Sequence, residues 1–204
     1  MNNIKTIAEP CEAKLREKGS LFIGKAYPAN TEEEITKMLH NIKKKYFDAA
    51  HHCYAYKIFP GDSKCSDAGE PSGSAGIRIL NAIEHYQLLN ILIVVVRYFG
   101  GIKLGIGPLG KTYYNSAILT IENSQIVEKI PVNKVFLKVD LSFANQVQKI
   151  AAANKIQILN TKFTEKMQQE FLVKVDKLDQ LISRLGESTK NTSEIIVEDK
   201  IYFI

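Results

Sequence analysis

Asp67-Ala-Gly-Glu-Pro-Ser-Gly-Ser-Ala-Gly-Ile77 is a loop almost free of apolar bulk that runs straight into an apolar-patterned segment. Three glycines, a proline, two serines and two acids at one helix entry predict a shaped loop rather than a plain connection. After it, Ile77–Tyr86 reads as a helix with Ile79, Leu80 and Ile83 on one side. Next, Ile91-Leu-Ile-Val-Val-Val96 reads as a strand buried on both faces, within Asn90–Val96. A second glycine cluster follows, Arg97-Tyr-Phe-Gly-Gly-Ile-Lys-Leu-Gly-Ile-Gly-Pro-Leu-Gly110, and then a helix over Leu109–Asn123. A buried strand flanked by glycine loops and helices is the centre of an α+β domain.

Working towards the N-terminus, His52–Phe59 alternates and is rich in aromatics, which predicts a strand before the Pro60-Gly61-Asp62-Ser63 turn. Thr31 with Glu34 forms a capping box, and Ile35, Leu39 and Ile42 continue a helix over 32–45. Lys43, Lys44 and Lys45 complement the dipole at its end. Ser20–Ala26 predicts a short strand, Ala13–Gly19 a charged turn, and residues 1–8 a first strand that Pro10 ends. These elements predict a mainly antiparallel sheet with two or three helices on one face.

Pro131 marks a boundary, giving domains 1–130 and 131–204 joined by a short connection at 126–133. The second domain predicts strands at Lys134–Leu141, Ile156–Phe163, Glu170–Val175 and Ser193–Phe203, with helices at Phe143–Ala153 and Lys177–Thr189. That is the ferredoxin-like βαββαβ order.

The bulk properties fit this division. A chain of 204 residues, 45% hydrophobic, holds one large domain or two small ones. A net charge of +5 permits an acidic partner without demanding one. Cys11, Cys53 and Cys65 are odd in number and irregular in spacing, which argues against a disulfide framework. Leu88–Val96 is too short to span a bilayer and Arg97 ends it. The expectation is a soluble cytoplasmic protein with no membrane partner.

Asp48-Ala-Ala-His51-His52-Cys53-Tyr54-Ala-Tyr56, Ser66 through Gly76, and Val96-Arg97-Tyr98-Phe99-Gly100-Gly101-Ile102-Lys103-Leu104-Gly105 together resemble the IMPACT family, whose bacterial branch is called YigZ-like. The resemblance covers roughly 15–125. It implies an N-terminal domain with the fold of ribosomal protein S5 domain 2, shared with elongation factor G domain IV. It also implies a C-terminal domain like elongation factor G domain V. Eukaryotic members regulate translation, so RNA, the ribosome or a translation-related protein is the expected partner. No cofactor is implied. Ala68, Ile77-Arg78, Pro108 and Gly110-Lys111 depart from the common family pattern.

The candidate binding cleft comprises His52, Asp67, Glu70, Ser72, Ser74, Arg97, Tyr98, Lys103 and Lys111. Backbone N–H groups and hydroxyls where 67–76 enters its helix form an expected anion site. The loop lacks the Gly-Lys-Ser/Thr end of a Walker A motif, and 100–110 lacks the βαβ context of a dinucleotide fingerprint. Arg97, Lys103 and Lys111 suit phosphate contact, and Tyr98 and Phe99 offer stacking faces. The plainer alternative puts Phe99 in the core and pairs Arg97 with Asp67 or Glu70. On a strand, His51 and His52 point to opposite faces; the sequence leaves open which of them faces the cleft, and His52 is the favoured candidate. The His and Cys spacing fits no common structural zinc motif. Serine, histidine and acid supply the residue types of a hydrolase triad but no nucleophile elbow. The leading expectation is a nonenzymatic RNA- or ribosome-associated protein in translation. The rivals are a small hydrolase or peptidase using the same loops, and a protein-interaction module.

Overall fold

The computed structural model describes residues 1–204, which divide into two compact units, Lys5–Glu128 and Met1–Ile4 with Lys129–Ile204. No helix is long and apolar enough to cross a membrane.

The first unit is built on β2 (Cys11–Glu17), β3 (Ser20–Pro28), β4 (His51–Ile58), β5 (Asp62–Ser66) and β6 (Ile91–Tyr98). They form one antiparallel sheet in the order β2-β3-β6-β4-β5. A separate ribbon pairs β1 (Ile4–Ile7) with β7 (Ile126–Lys129). The helices are α1 (Glu32–Lys45), α2 (Gly76–His85) and α3 (Ile106–Glu122). The capping box at α1 forms in altered shape: Thr31 Oγ1 accepts from Glu34 N, while Glu34 Oε2 accepts from Asn30 N.

β6 explains why this unit has helices on both sheet faces, not on one as predicted. Its run of apolar residues leaves no face for water. Ile91, Ile93 and Val95 pack with Ile79 and Ile83 of α2 and Tyr113 and Ile121 of α3. Leu92, Val94 and Val96 pack on the other side with Ile35 and Ile42 of α1. Strand period two makes this division automatic.

Residues 13–19, predicted as a charged turn, are mostly strand β2. Ala13 and Leu15 point inward and the charges alternate outward, and the register Leu15↔Phe22 fixes the pairing. The strands β5 and β7 were also unforeseen, β5 being an edge strand with little burial.

The second unit runs β8 (Pro131–Asp140), α4 (Ala144–Ala153), β9 (Gln157–Phe163), β10 (Lys166–Lys174), α5 (Leu178–Ser188) and β11 (Glu194–Phe203). The predicted strand-helix-strand-strand-helix-strand succession is what forms. Its antiparallel sheet has the order β11-β8-β10-β9. Val135, Leu137, Val139, Met167, Phe171 and Val173 bury one sheet face against Val147, Leu181 and Leu185.

Candidate functional site

Register across three strands assembles the base of the site. Arg97 on β6 lies opposite Phe22 on β3 and His51 on β4. All three therefore share the face covered by α2 and α3. The loop before α2 brings Glu70 over them, and α3 supplies Tyr113 from behind.

The Glu70 carboxylate is the hub. Its Oε1 accepts from Arg97 Nη1 at 2.6 Å and from the Tyr113 hydroxyl at 2.7 Å. Its Oε2 lies 3.7 Å from His51 Nε2. His51 Nδ1 is 3.0 Å from the Ala68 carbonyl, which only accepts, so Nδ1 carries a proton. Burial, together with the Cys53 and Glu70 partners, pushes the Tyr113 phenol far up, so it remains a donor. The Arg97 and Glu70 side chains are 6% and 4% exposed, which makes this a buried ion pair and a costly one to break. Arg97 Nε is buried with no hydrogen-bond partner.

Arg97 is also held between two rings. Its guanidinium carbon sits 5.3 Å from the Phe22 centroid and 5.5 Å from that of Phe99. Phe22 is buried and meets Tyr113 edge-on at 5.2 Å. Phe99 is 52% exposed, so the core placement of its ring does not hold: one side faces Arg97 and much of the rest faces water. Beside it is a cleft of about 400 Å³ bounded by His51, Glu70, Arg97, Phe99, Lys103 and Ile106, among others. The two glycine loops thus meet at one hollow.

Close backbone approach fixes the second loop. A Cβ at Gly100 would fall 1.9 Å from the Gly19 carbonyl carbon, and Ser20 Oγ accepts from Gly100 N at 3.1 Å. Gly76 is similarly crowded, since a Cβ there would fall 2.6 Å from Ser66 N.

The other predicted residues are placed differently. Asp67 faces inward along its own loop. Its Oδ1 accepts from Ala75 N and Gly76 N, and its Oδ2 from Gly73 N. The N–H groups expected to bind an anion at the start of α2 are therefore occupied by this carboxylate. Ser74 is buried and donates to the Pro71 carbonyl, while Ser72 is exposed on the loop outside the cleft wall. His52 is a correction: it shares the opposite sheet face with Val96, and its Nε2 is 2.9 Å from the Tyr46 carbonyl. Tyr98 is another, since β6 alternation turns it away from Arg97 and its hydroxyl donates to Asp48. Lys111 is exposed on α3 and does not bound the cleft. Lys103 does, and Arg97 pairs with Glu70 rather than Asp67. The triad residue types are not assembled, because Ser74, His52 and Asp67 are each engaged elsewhere.

The Cys53 Sγ lies 2.9 Å from the Asp67 carbonyl, to which its one S–H donates, and 3.3 Å from the Tyr113 hydroxyl, and burial pushes its thiol up to about 12. It is protonated at neutral pH. Sequence reasoning missed Tyr113 and Ser20 as supports of the site. Between the two histidines it favoured His52 without deciding, and the structure places His51 at the cleft; the alternation of small Cys53 and Ala55 with Tyr54 and Tyr56 marks His51's parity.

Burial opposes the Asp67 charge, but the three N–H donors of Gly73, Gly76 and Ala75 outweigh it and hold the carboxyl below its ordinary value. A depressed folded value means that the stability it supplies is complete above the unfolded value, about pH 4, and is lost as pH falls through the folded value. Asp67→Asn is expected to remove about 1.5–3 kcal/mol at pH 7. The difference from wild type should shrink towards pH 2 in urea unfolding curves.

The Impact N-terminal domain model matches residues 18–121, half of the chain. IMPACT family member YvyE of Bacillus subtilis is 29% identical over 192 residues, spanning 93% of this chain and 88% of that protein. An IMPACT family member of Haemophilus influenzae is 31% identical over 189 residues, spanning 89% of each. A solved structure described as "Crystal structure of an hypothetical protein" has a TM-score of 0.74 and 22% identity, covering 98% of this chain and all of that one, and so shares the fold. The motifs at the two glycine loops and the near full-length matches agree: the chain belongs to the IMPACT family.

Proposed function

We propose that the chain is a nonenzymatic RNA- or ribosome-associated protein that acts in translation or its regulation, and that the cleft of the first unit holds single-stranded RNA. One observation carries this reading: the exposed Phe99 ring, with the Arg97 cation against it, at the edge of a cleft that also presents Lys103. A base stacks on an aromatic face with little regard for its identity, and an adjacent lysine meets its phosphate. Arg97 itself is engaged by Glu70, so its role is to fix the platform rather than to reach phosphate. Two likenesses support the reading. The family resemblance suggests the fold of ribosomal protein S5 domain 2 and of elongation factor G domain IV for the first unit. The order of elements in the second suits a ferredoxin-like domain similar to elongation factor G domain V.

Titration of a fluorescent single-stranded RNA at several salt concentrations tests the proposal. Affinity should fall as salt rises, and Lys103→Gln should reduce the slope of log affinity against log salt by about 0.7, the value for one phosphate contact on a single strand. Salt-independent binding, or a slope unchanged by Lys103→Gln, contradicts it.

A further inference from the structure

Four cations converge on a second hollow, within the second unit. Lys155 lies in the turn between α4 and β9, Lys174 ends β10, and Lys177 and Arg184 are the residue before α5 and a residue within it. With Asn154 and Gln180 they bound a groove of about 300 Å³. No carboxylate lines it. None of the four cations takes part in an ion pair; the ion pairs of this unit are those of Lys134, Lys138 and Lys166, and none of these three lines the groove. The Arg184 guanidinium is oriented by a hydrogen bond from Nη1 to Asn154 Oδ1 at 3.2 Å. Lys155 has a left-handed backbone, φ 51°, at the turn that leads into β9. Like charges gathered along a groove whose lining holds no carboxylate repel one another, although Asp176 and Asp179 lie nearby in sequence, and a polyanion seated among them removes that repulsion and releases its own counterions.

We infer that this groove binds the phosphodiester backbone of RNA. The inference rests on the RNA reading above but places a second, base-independent contact on residues that the first site does not use. Its floor includes the buried Leu181, and its walls present cations but no aromatic ring, so it follows phosphates rather than bases.

The test compares the full chain with two variants, one at each site: the groove variant K155Q/K174Q/K177Q/R184Q and the cleft variant F99A/K103Q. Circular dichroism confirms their folding, and a fluorescent 12-nucleotide polyuridine is titrated at several salt concentrations. The groove variant is expected to bind roughly tenfold to a hundredfold more weakly at 0.1 M salt, with a slope reduced by up to about 2.8. Wild-type binding that only the cleft variant weakens overturns the groove assignment and leaves the cleft reading standing. Binding that only the groove variant weakens supports the groove and removes the cleft reading. Loss in both variants supports both sites, and no binding by the wild type overturns both. Vesicles of phosphatidylcholine with phosphatidylserine form the last arm. Capture abolished in the groove variant, with RNA affinity unchanged, would assign the cations to a lipid surface and overturn the inference.

Discussion

Arg97→Met is expected to destabilise the first unit by about 3–5 kcal/mol. The change leaves Glu70 buried with its Oε1 bonded to Tyr113 alone and removes the cation between Phe22 and Phe99. An uncompensated carboxylate in that position costs much more than the intact pair contributes, because both charges were already desolvated. The same reasoning predicts that Arg97→Met/Glu70→Leu recovers most of the loss, since no charge is then stranded. Urea unfolding of the wild type, the single and the double variant makes the comparison. A single variant within about 0.5 kcal/mol of wild type would show that the pair is not the buried hub described here.

Phe99→Ala is expected to weaken single-stranded RNA binding by about 1–3 kcal/mol, or roughly 5- to 150-fold. The ring is half exposed, so its removal costs little packing and the effect falls on binding. Tyr98→Phe is the matched control. Tyr98 neighbours Phe99 in sequence but points to the other sheet face and bonds Asp48, so its affinity should equal that of the wild type. Equal losses in the two variants would mean that the ring at 99 has no particular role.

Most of the fold was legible because its signals are local. The capping residues and the lysine cluster bound α1, and the apolar run of β6 announced a strand covered on both sides. That same run contradicted the expectation of helices on one face only, and the structure resolves the conflict in favour of β6. β2 was obscured because its charged residues outnumber its inward-facing Ala13 and Leu15, and only pairing with β3 reveals the alternation. The site was legible in its loops and less so in its side chains. Glycine and proline chemistry located both loops, and Glu70, Arg97 and Lys103 do meet there. Which histidine faces Glu70 depends on strand parity, and which acid is consumed as a loop cap depends on where three N–H groups point. Asp67 and Glu70 have the same charge and lie three residues apart, yet one closes its own loop and the other anchors a cross-strand arginine. Tyr113 enters from α3, 43 residues from Glu70, at a distance where periodicity says nothing about partners.

Photo-cross-linking of the wild-type chain to a single-stranded RNA carrying 4-thiouridine, followed by mass spectrometry of the attached peptide, decides whether the cleft of the first unit holds RNA. Adducts are expected in the segment 97–106, which contains Phe99 and Lys103, and should be lost in the Phe99→Ala variant. Efficient cross-linking with no adduct in that segment would place the RNA elsewhere and rule out the cleft as its site.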